Sequence, residues 1–180
     1  MNHPLSVLIV ENSRDDADLL LQALHRGGYA VTATVVETPA TMRAALTRQT
    51  WDVITSDHAL PSFSAPAALA LAKELRPDVP FIIVSGEISL HLAISLMRGG
   101  AQDYISKEEL ARLVPAIARE LRDVEVRRER QRAEDALRVS ETRYRRLFES
   151  ARDGILIVDA VTHKITDVNP FMVELLGYAR

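Results

Sequence analysis

The sequence predicts an α/β protein: a five-stranded, doubly wound parallel sheet, then a long charged helix, then the opening of a small α+β segment. Three observations carry this. Over the first two thirds of the chain, short apolar runs alternate five times with segments of helical spacing. Strands that alternate with helices build parallel sheets covered on both faces. Residues 119–149 then hold ten arginines and eight acids with no glycine or proline, the mixed-sign pattern of a solvated helix or a coiled coil. Beyond Glu149 the pattern changes again, to two short strands and a helix.

The elements follow in order. Leu5–Val10 is apolar apart from Ser6, as a strand buried on both faces requires. Asp15–Arg26 carries Ala17, Leu20, Leu21 and Leu24 at helical spacing; Ser13 with Asp16 resembles a capping box, and Gly27-Gly28 is a stop. Val31–Val36 is β-branched and strand-like, and Pro39–Gln49 returns to helix with Met42, Ala45 and Leu46 on one face. Val53-Ile54 is a short strand that ends at Ser56-Asp57, and Ala65–Leu75 is a helix closed by Pro77. Phe81–Val84 is a buried-type strand ending at Ser85-Gly86; Ile88–Arg98 is helical and stops at Gly99-Gly100. Asp103–Ile105 is the last strand of this series, and a long helix is expected from Glu108.

Along that helix Ile117, Leu121 and Val124 form one apolar series, and Leu137, Ser140, Tyr144, Leu147 and Ala151 form another, out of phase with the first. Two short seams with a register break fit a dimerising helix, with a solvated linker as the alternative. Gly154–Val158 and Ile165–Val168 read as strands and Pro170–Leu176 as a helix, too little to close a core unaided. The expected division is 1–120, 121–149 and 150–180.

Composition narrows the function. The 180 residues carry a net charge of −3, which gives no electrostatic footprint for nucleic acid. There is no cysteine, so disulfides, thiolate metal sites and cysteine nucleophiles are excluded. No apolar run approaches the roughly 20 residues that span a bilayer. The N-terminus lacks the marks of a signal peptide, and a cytoplasmic protein without membrane contact is expected. No glycine-rich phosphate loop follows the first strand, against a dinucleotide-binding domain.

In a parallel sheet of this kind, ligands bind beyond the carboxyl ends of the strands at the topological switch point. Glu11 and Asn12 follow the first strand, Asp57 the third, Ser85 the fourth and Lys107 the fifth. Carboxylates, a hydroxyl and a lysine on one face suit a hard cation such as Mg²⁺. A carboxylate beside a cation and a lysine can act as a nucleophile that forms an acyl phosphate. The five histidines have no metal-ligand spacing; His58 is expected only to flank the pocket.

These residues sit in VLIVEN, VITSDHALP, FIIVSG and AISLMRGGAQDYISK, which together resemble the receiver domain of bacterial two-component response regulators over roughly residues 5–120. The resemblance implies a flavodoxin-like strand order 2-1-3-4-5. It implies Asp57 as phosphoacceptor, with Glu11, Asn12, Asp57 and the backbone carbonyl of Ala59 as the Mg²⁺ ligands. It further implies that Lys107 and Ser85 bind the phosphoryl group, and that Ser85 and Tyr104 are the switch pair. Asn12 stands where the family usually has a second acid, so weaker Mg²⁺ binding is expected. Glu108 follows the lysine where the family often has proline.

ALRVSETRYRRLFESARDGILIVD and ITDVNPFMVELLGY resemble a helical linker entering a PAS sensor domain, of which about the first third is present. The expected function is therefore a phosphoacceptor switch. A sensor histidine kinase or a phosphotransfer protein would phosphorylate Asp57. The state would pass through a homodimeric helix, with Leu137, Tyr144 and Leu147 in its seam, to a PAS or output module. The chain is expected to catalyse only its own phosphoryl transfer and hydrolysis. The alternatives are a receiver-like scaffold that dimerises regardless of phosphate and, more distantly, a flavin-binding domain.

Overall fold

The computed structural model describes residues 3–58, 60–61, 63–86 and 88–177. It divides into two compact units, Met1–Val126 and Arg127–Arg180. The first unit runs β1 (His3–Val10), α1 (Arg14–Arg26), β2 (Tyr29–Val36), α2 (Pro39–Arg48), β3 (Val53–Ser56), α3 (Ala65–Leu75), β4 (Phe81–Ser85), α4 (Leu90–Arg98) and β5 (Asp103–Ser106). A 3₁₀ helix, Lys107–Arg112, leads into α5, Leu113–Ser150, which continues into the second unit.

The strands form one parallel sheet in the order β2-β1-β3-β4-β5. β1 lies second from one edge, which is why its sequence is apolar on both faces. Leu8 and Val10 point into the core beneath α2, α3 and α4, with Met42, Leu46, Leu69, Phe81, Ile83 and Leu96. Leu5, Val7 and Ile9 point to the opposite face, with Leu20 and Leu24 of α1 and Leu113 and Ile117 of α5. Each fully buried side chain of this size contributes about 1.5–3 kcal/mol. Two cores on the two faces thus fix the sheet's register, since a one-residue slip would exchange their contents.

Serine and threonine hydroxyls cap the helices: Ser13, Thr38, Ser64 and Ser89 each accept an N–H from the first turn of α1, α2, α3 and α4. Between α1 and β2, Gly28 holds φ +86 and a Cβ on Gly27 would run into the Val114 side chain. The Gly-Gly pair therefore turns the chain and lets α1 approach α5 closely.

The long helix starts later than its sequence suggests. Glu108 lies in the 3₁₀ segment, and Glu109 leaves helical geometry at φ −116, ψ 36. Pro115 supplies the reason, because its ring would collide with the carbonyl of residue 111 in a continuous helix. Placed in the first turn of α5, it removes only an N–H that no helical carbonyl would receive.

In the second unit β6 (Leu156–Val158) and β7 (Ile165–Val168) pair antiparallel, followed by α6 (Pro170–Leu176). Asn169 is completely buried. Its Oδ1 accepts from Ile155 N and Met172 N at 2.9 and 3.1 Å, and its Nδ2 donates to the Asp153 carbonyl at 2.9 Å. One amide side chain thus ties the hairpin to the start of α6. Among the described residues, no helix is long and apolar enough to cross a membrane.

Candidate functional site

The sheet order puts β1 beside β3, with β2 on β1's far side. The order in which successive strands are added reverses at that boundary, and Glu11 and Asp57 emerge there side by side. Asp57 is held by a backbone bond from its N–H to the Val10 carbonyl at 2.9 Å. Glu11 is nearly buried; its Oε1 accepts from the backbone N–H groups of Asn12 and Ser13, both at 2.9 Å. That leaves Oε2 directed at the site.

Lys107 joins the strand ends. Its Nζ donates to Glu11 Oε2 at 2.8 Å, Asp16 Oδ2 at 2.6 Å and Asp57 Oδ2 at 2.9 Å. Burial works against the charge on Lys107, but hydrogen bonds to Asp16, Glu11 and Asp57 outweigh it and raise its pKa well above the ordinary 10.5. Burial likewise works against the charge on Asp57. Hydrogen bonds from Ser85 and Lys107, the Lys107 charge and the His58 backbone N–H reverse that, so its carboxyl stays below the usual 3.8. Ser85, completely buried at the end of β4, donates its hydroxyl to Asp57 Oδ1 at 2.7 Å.

The carboxylates of Glu11, Asp16 and Asp57 offer oxygens that all lie within 4.8 Å of one another. One ammonium against three carboxylates leaves two negative charges uncompensated. Oxygen donors with that charge fit a hard divalent cation of the Mg²⁺ kind.

Of the residues singled out from the sequence, Glu11, Asp57, Ser85 and Lys107 meet at this point. Asn12 is exposed, and its described bond to the site is the backbone N–H to Glu11. Ala59 lies outside the described residues. Tyr104 packs against the core under α3 and α4 and donates its hydroxyl to the Gly86 carbonyl at 3.2 Å. Leu137, Tyr144 and Leu147 belong to the second unit, where they are 61%, 48% and 65% exposed and Tyr144 stacks on Phe148 with ring centres 5.4 Å apart.

Two residues take a larger part than their sequence suggests. Asp16 reads as the far half of a capping box, but only one half forms. Asp16 N–H bonds Ser13 Oγ at 3.2 Å, while Ser13 N–H goes to Glu11 Oε1 and the Asp16 carboxylate turns to Lys107. An acid in the first turn of the helix after the first strand was the available signal. His58 does more than flank: its Nδ1 bonds Ser85 Oγ and lies 3.3 Å from Asp57 Oδ1.

With this geometry in view, comparison with known proteins is specific. A family model described as the response regulator receiver domain matches residues 7–118, and a PAS domain model matches residues 142–180. The chain is 28% identical over 155 residues to the C4-dicarboxylate transport transcriptional regulatory protein DctD of Rhizobium meliloti, covering 85% of this chain and 31% of that protein. It is 30% identical over 117 residues to the DNA-binding transcriptional regulator NtrC of the same organism, covering 64% of this chain and 24% of NtrC. The chain thus spans less than a third of the length of these curated relatives. Among solved structures it is similar to a response regulator receiver domain protein from Methanospirillum hungatei (27% identity, TM-score 0.60, 68% of this chain and 98% of that one). It is also similar to the receiver domain of NtrX from Brucella abortus (25% identity, TM-score 0.59, 64% and 98%). Sheet order, strand-end residues and family match agree, and the chain belongs to the response regulator receiver domain family of two-component systems.

Proposed function

We propose that this chain is a phosphoacceptor switch that takes a phosphoryl group on Asp57 from a partner histidine kinase or phosphotransfer protein. The observation that carries the reading is the meeting of Asp57 with Lys107, Ser85, Glu11 and Asp16 at one switch point. An Asp57 oxygen attacks the donor's phosphorus. The O–P bond forms as the donor's P–N bond breaks and the donor imidazole leaves. Glu11, Asp16 and Asp57 would hold a Mg²⁺ ion, which when bound offsets negative charge on the phosphoryl oxygens. Lys107 keeps one Asp57 oxygen paired and supplies a fixed positive charge for the charge that develops. Ser85 offers a hydroxyl proton to the other side of the acceptor. Water later cleaves the acyl phosphate and restores the carboxylate, so the chain catalyses only its own modification.

The same reading carries the state of Asp57 through α5 to a PAS or output module, with a helix-mediated homodimer as the transmitting form. The lack of a membrane-crossing helix among the described residues suits a partner kinase met in the cytoplasm.

Intact mass after incubation with acetyl phosphate and Mg²⁺ tests the core of this reading. The expected result is one phosphoryl group per chain, absent in Asp57→Asn and absent when EDTA replaces Mg²⁺. Unchanged mass with acetyl phosphate and with a panel of kinases would overturn it and leave the phosphate-independent scaffold.

A further inference from the structure

The hydroxyl of Ser85 is one corner of a triangle. It donates to Asp57 Oδ1 at 2.7 Å and meets His58 Nδ1, which itself lies 3.3 Å from Asp57 Oδ1. An ionised carboxylate only accepts hydrogen bonds, so the Ser85 proton points at Asp57. The Ser85 oxygen then has lone pairs left for His58, and His58 Nδ1 carries the hydrogen between them. The chain of donors runs one way: His58 N–H to Ser85 O–H to Asp57. His58 also anchors the acceptor directly, because its backbone N–H bonds Asp57 Oδ1.

Serine needs such help. A threonine's second heavy atom on Cβ would restrict χ1, whereas serine's hydroxyl is free to take any of three staggered positions. Ser85 ends β4, and Gly86 follows it without a side chain to confine the turn. The imidazole, with its side chain only 23% exposed, lies against that hydroxyl.

We propose that His58 is a positioning residue for Ser85: it directs the hydroxyl proton onto the acceptor and, after transfer, onto a phosphoryl oxygen. This rests on Asp57 being the phosphoacceptor. It adds a residue, immediately after the acceptor, whose ring acts through the Ser85 hydroxyl beside its own 3.3 Å approach to Asp57 Oδ1.

The test is a comparison of initial phosphorylation rates with acetyl phosphate and Mg²⁺ on the full chain. His58→Leu keeps bulk and loses the donor, and its rate should fall roughly 5-fold, the worth of one hydrogen bond. His58→Asn keeps an N–H the same number of bonds from the backbone and should stay within about twofold of wild type. In a Ser85→Ala background, His58→Leu should change the rate by less than about twofold, since interacting partners are non-additive. A merely structural histidine would not be rescued by asparagine and would lower the rate in both backgrounds. An unchanged rate in His58→Leu, no rescue by His58→Asn, or an equal loss in the Ser85→Ala background would overturn the proposal. Nitrogen NMR of the unphosphorylated protein gives a second readout: His58 should be the Nδ1–H tautomer in wild type and lose that preference in Ser85→Ala. A bare Nδ1 in wild type would also overturn it. If wild type takes no phosphoryl group, the phosphoacceptor reading falls and this use of the chain falls with it. The tautomer would then still show whether His58 orients Ser85.

Discussion

Replacing Asp16 by Asn isolates the residue that sequence reasoning assigned only to a helix cap. The substitution removes one of three carboxylates around the proposed cation site and one of three partners of Lys107. A divalent and a single charge about 4 Å apart attract by about 2 kcal/mol at the dielectric of water, and by more where protein excludes water. At 1.4 kcal/mol per tenfold, Mg²⁺ affinity should fall by ~30-fold. Lys107, left with Glu11 and Asp57, then competes harder for the same oxygens, which adds to the loss. Fold stability should change little. The Lys107–Asp16 pair at 2.6 Å involves side chains 21% and 33% exposed, and partly solvated pairs contribute about 1 kcal/mol or less. Thermal denaturation across a Mg²⁺ titration reads both quantities, because a ligand at free concentration L that binds only the folded state stabilises it by RT ln(1 + L/Kd). Asn12→Asp is the companion variant. It adds a charge at an exposed position; at a separation of about 8 Å the same Coulomb argument gives about 1 kcal/mol, so Mg²⁺ should tighten only about fivefold. A titration of Asp16→Asn that superimposes on wild type would refute the reasoning. So would a gain in Asn12→Asp larger than the loss in Asp16→Asn, which would move the third carboxylate to position 12.

Other expectations concern the switch, acid stability and the helix. Ser85→Ala should still be phosphorylated but should uncouple the acceptor from Tyr104; identical phosphate-induced shifts of the Tyr104 NMR signals in wild type and variant would contradict this. The Asp57 pKa lies below its ordinary 3.8. Its stabilising share is therefore present above that value and lost as pH falls through the folded value. Asp57→Asn should thus lose less stability than wild type on acidification below about pH 4, as denaturant midpoints would report. In the second unit, Leu137→Asp/Leu147→Asp should convert a helix-mediated dimer to monomer; sedimentation that finds wild type monomeric, or the variant equally dimeric, removes this seam.

Most of the fold could be read because its signals are local. The apolar run before Glu11 identifies a doubly covered strand, and four strand ends place Glu11, Asp57, Ser85 and Lys107 without knowledge of any contact. Asp16 was not legible in the same way. Its backbone obeys the capping pattern, but the destination of its carboxylate depends on Lys107, 91 residues on. His58 fails for a related reason: the neighbour that draws its ring, Ser85, arrives on another strand. The helix expected from Glu108 starts instead at Leu113, because the ring of Pro115 excludes the carbonyl of the preceding turn. The apolar residues Leu137 and Leu147 announce a seam by spacing, but spacing does not say what covers them.

The charge count at the switch point explains why a switch of this design would depend on a metal. Lys107 neutralises one of three carboxylates, so an approaching phosphoryl donor, itself anionic, meets two uncompensated negative charges. At about 4 Å each unit pair repels by about 1 kcal/mol in water and by about 4 kcal/mol at an effective dielectric of 20. A divalent cation brings the local sum to zero. On this reading the requirement comes from the ratio of three acids to one lysine and not from Asp57 alone, and Asp16 is the residue that sets the ratio. The same count separates two effects of Asp16→Asn. Binding of Mg²⁺ should weaken, yet once the cation saturates the site, the surroundings of Asp57 carry one more positive charge than in wild type. Transfer from an anionic donor should then be no slower than in wild type. A maximal rate that falls along with the affinity would mean that Asp16 holds Lys107 in place for transfer instead of serving the cation.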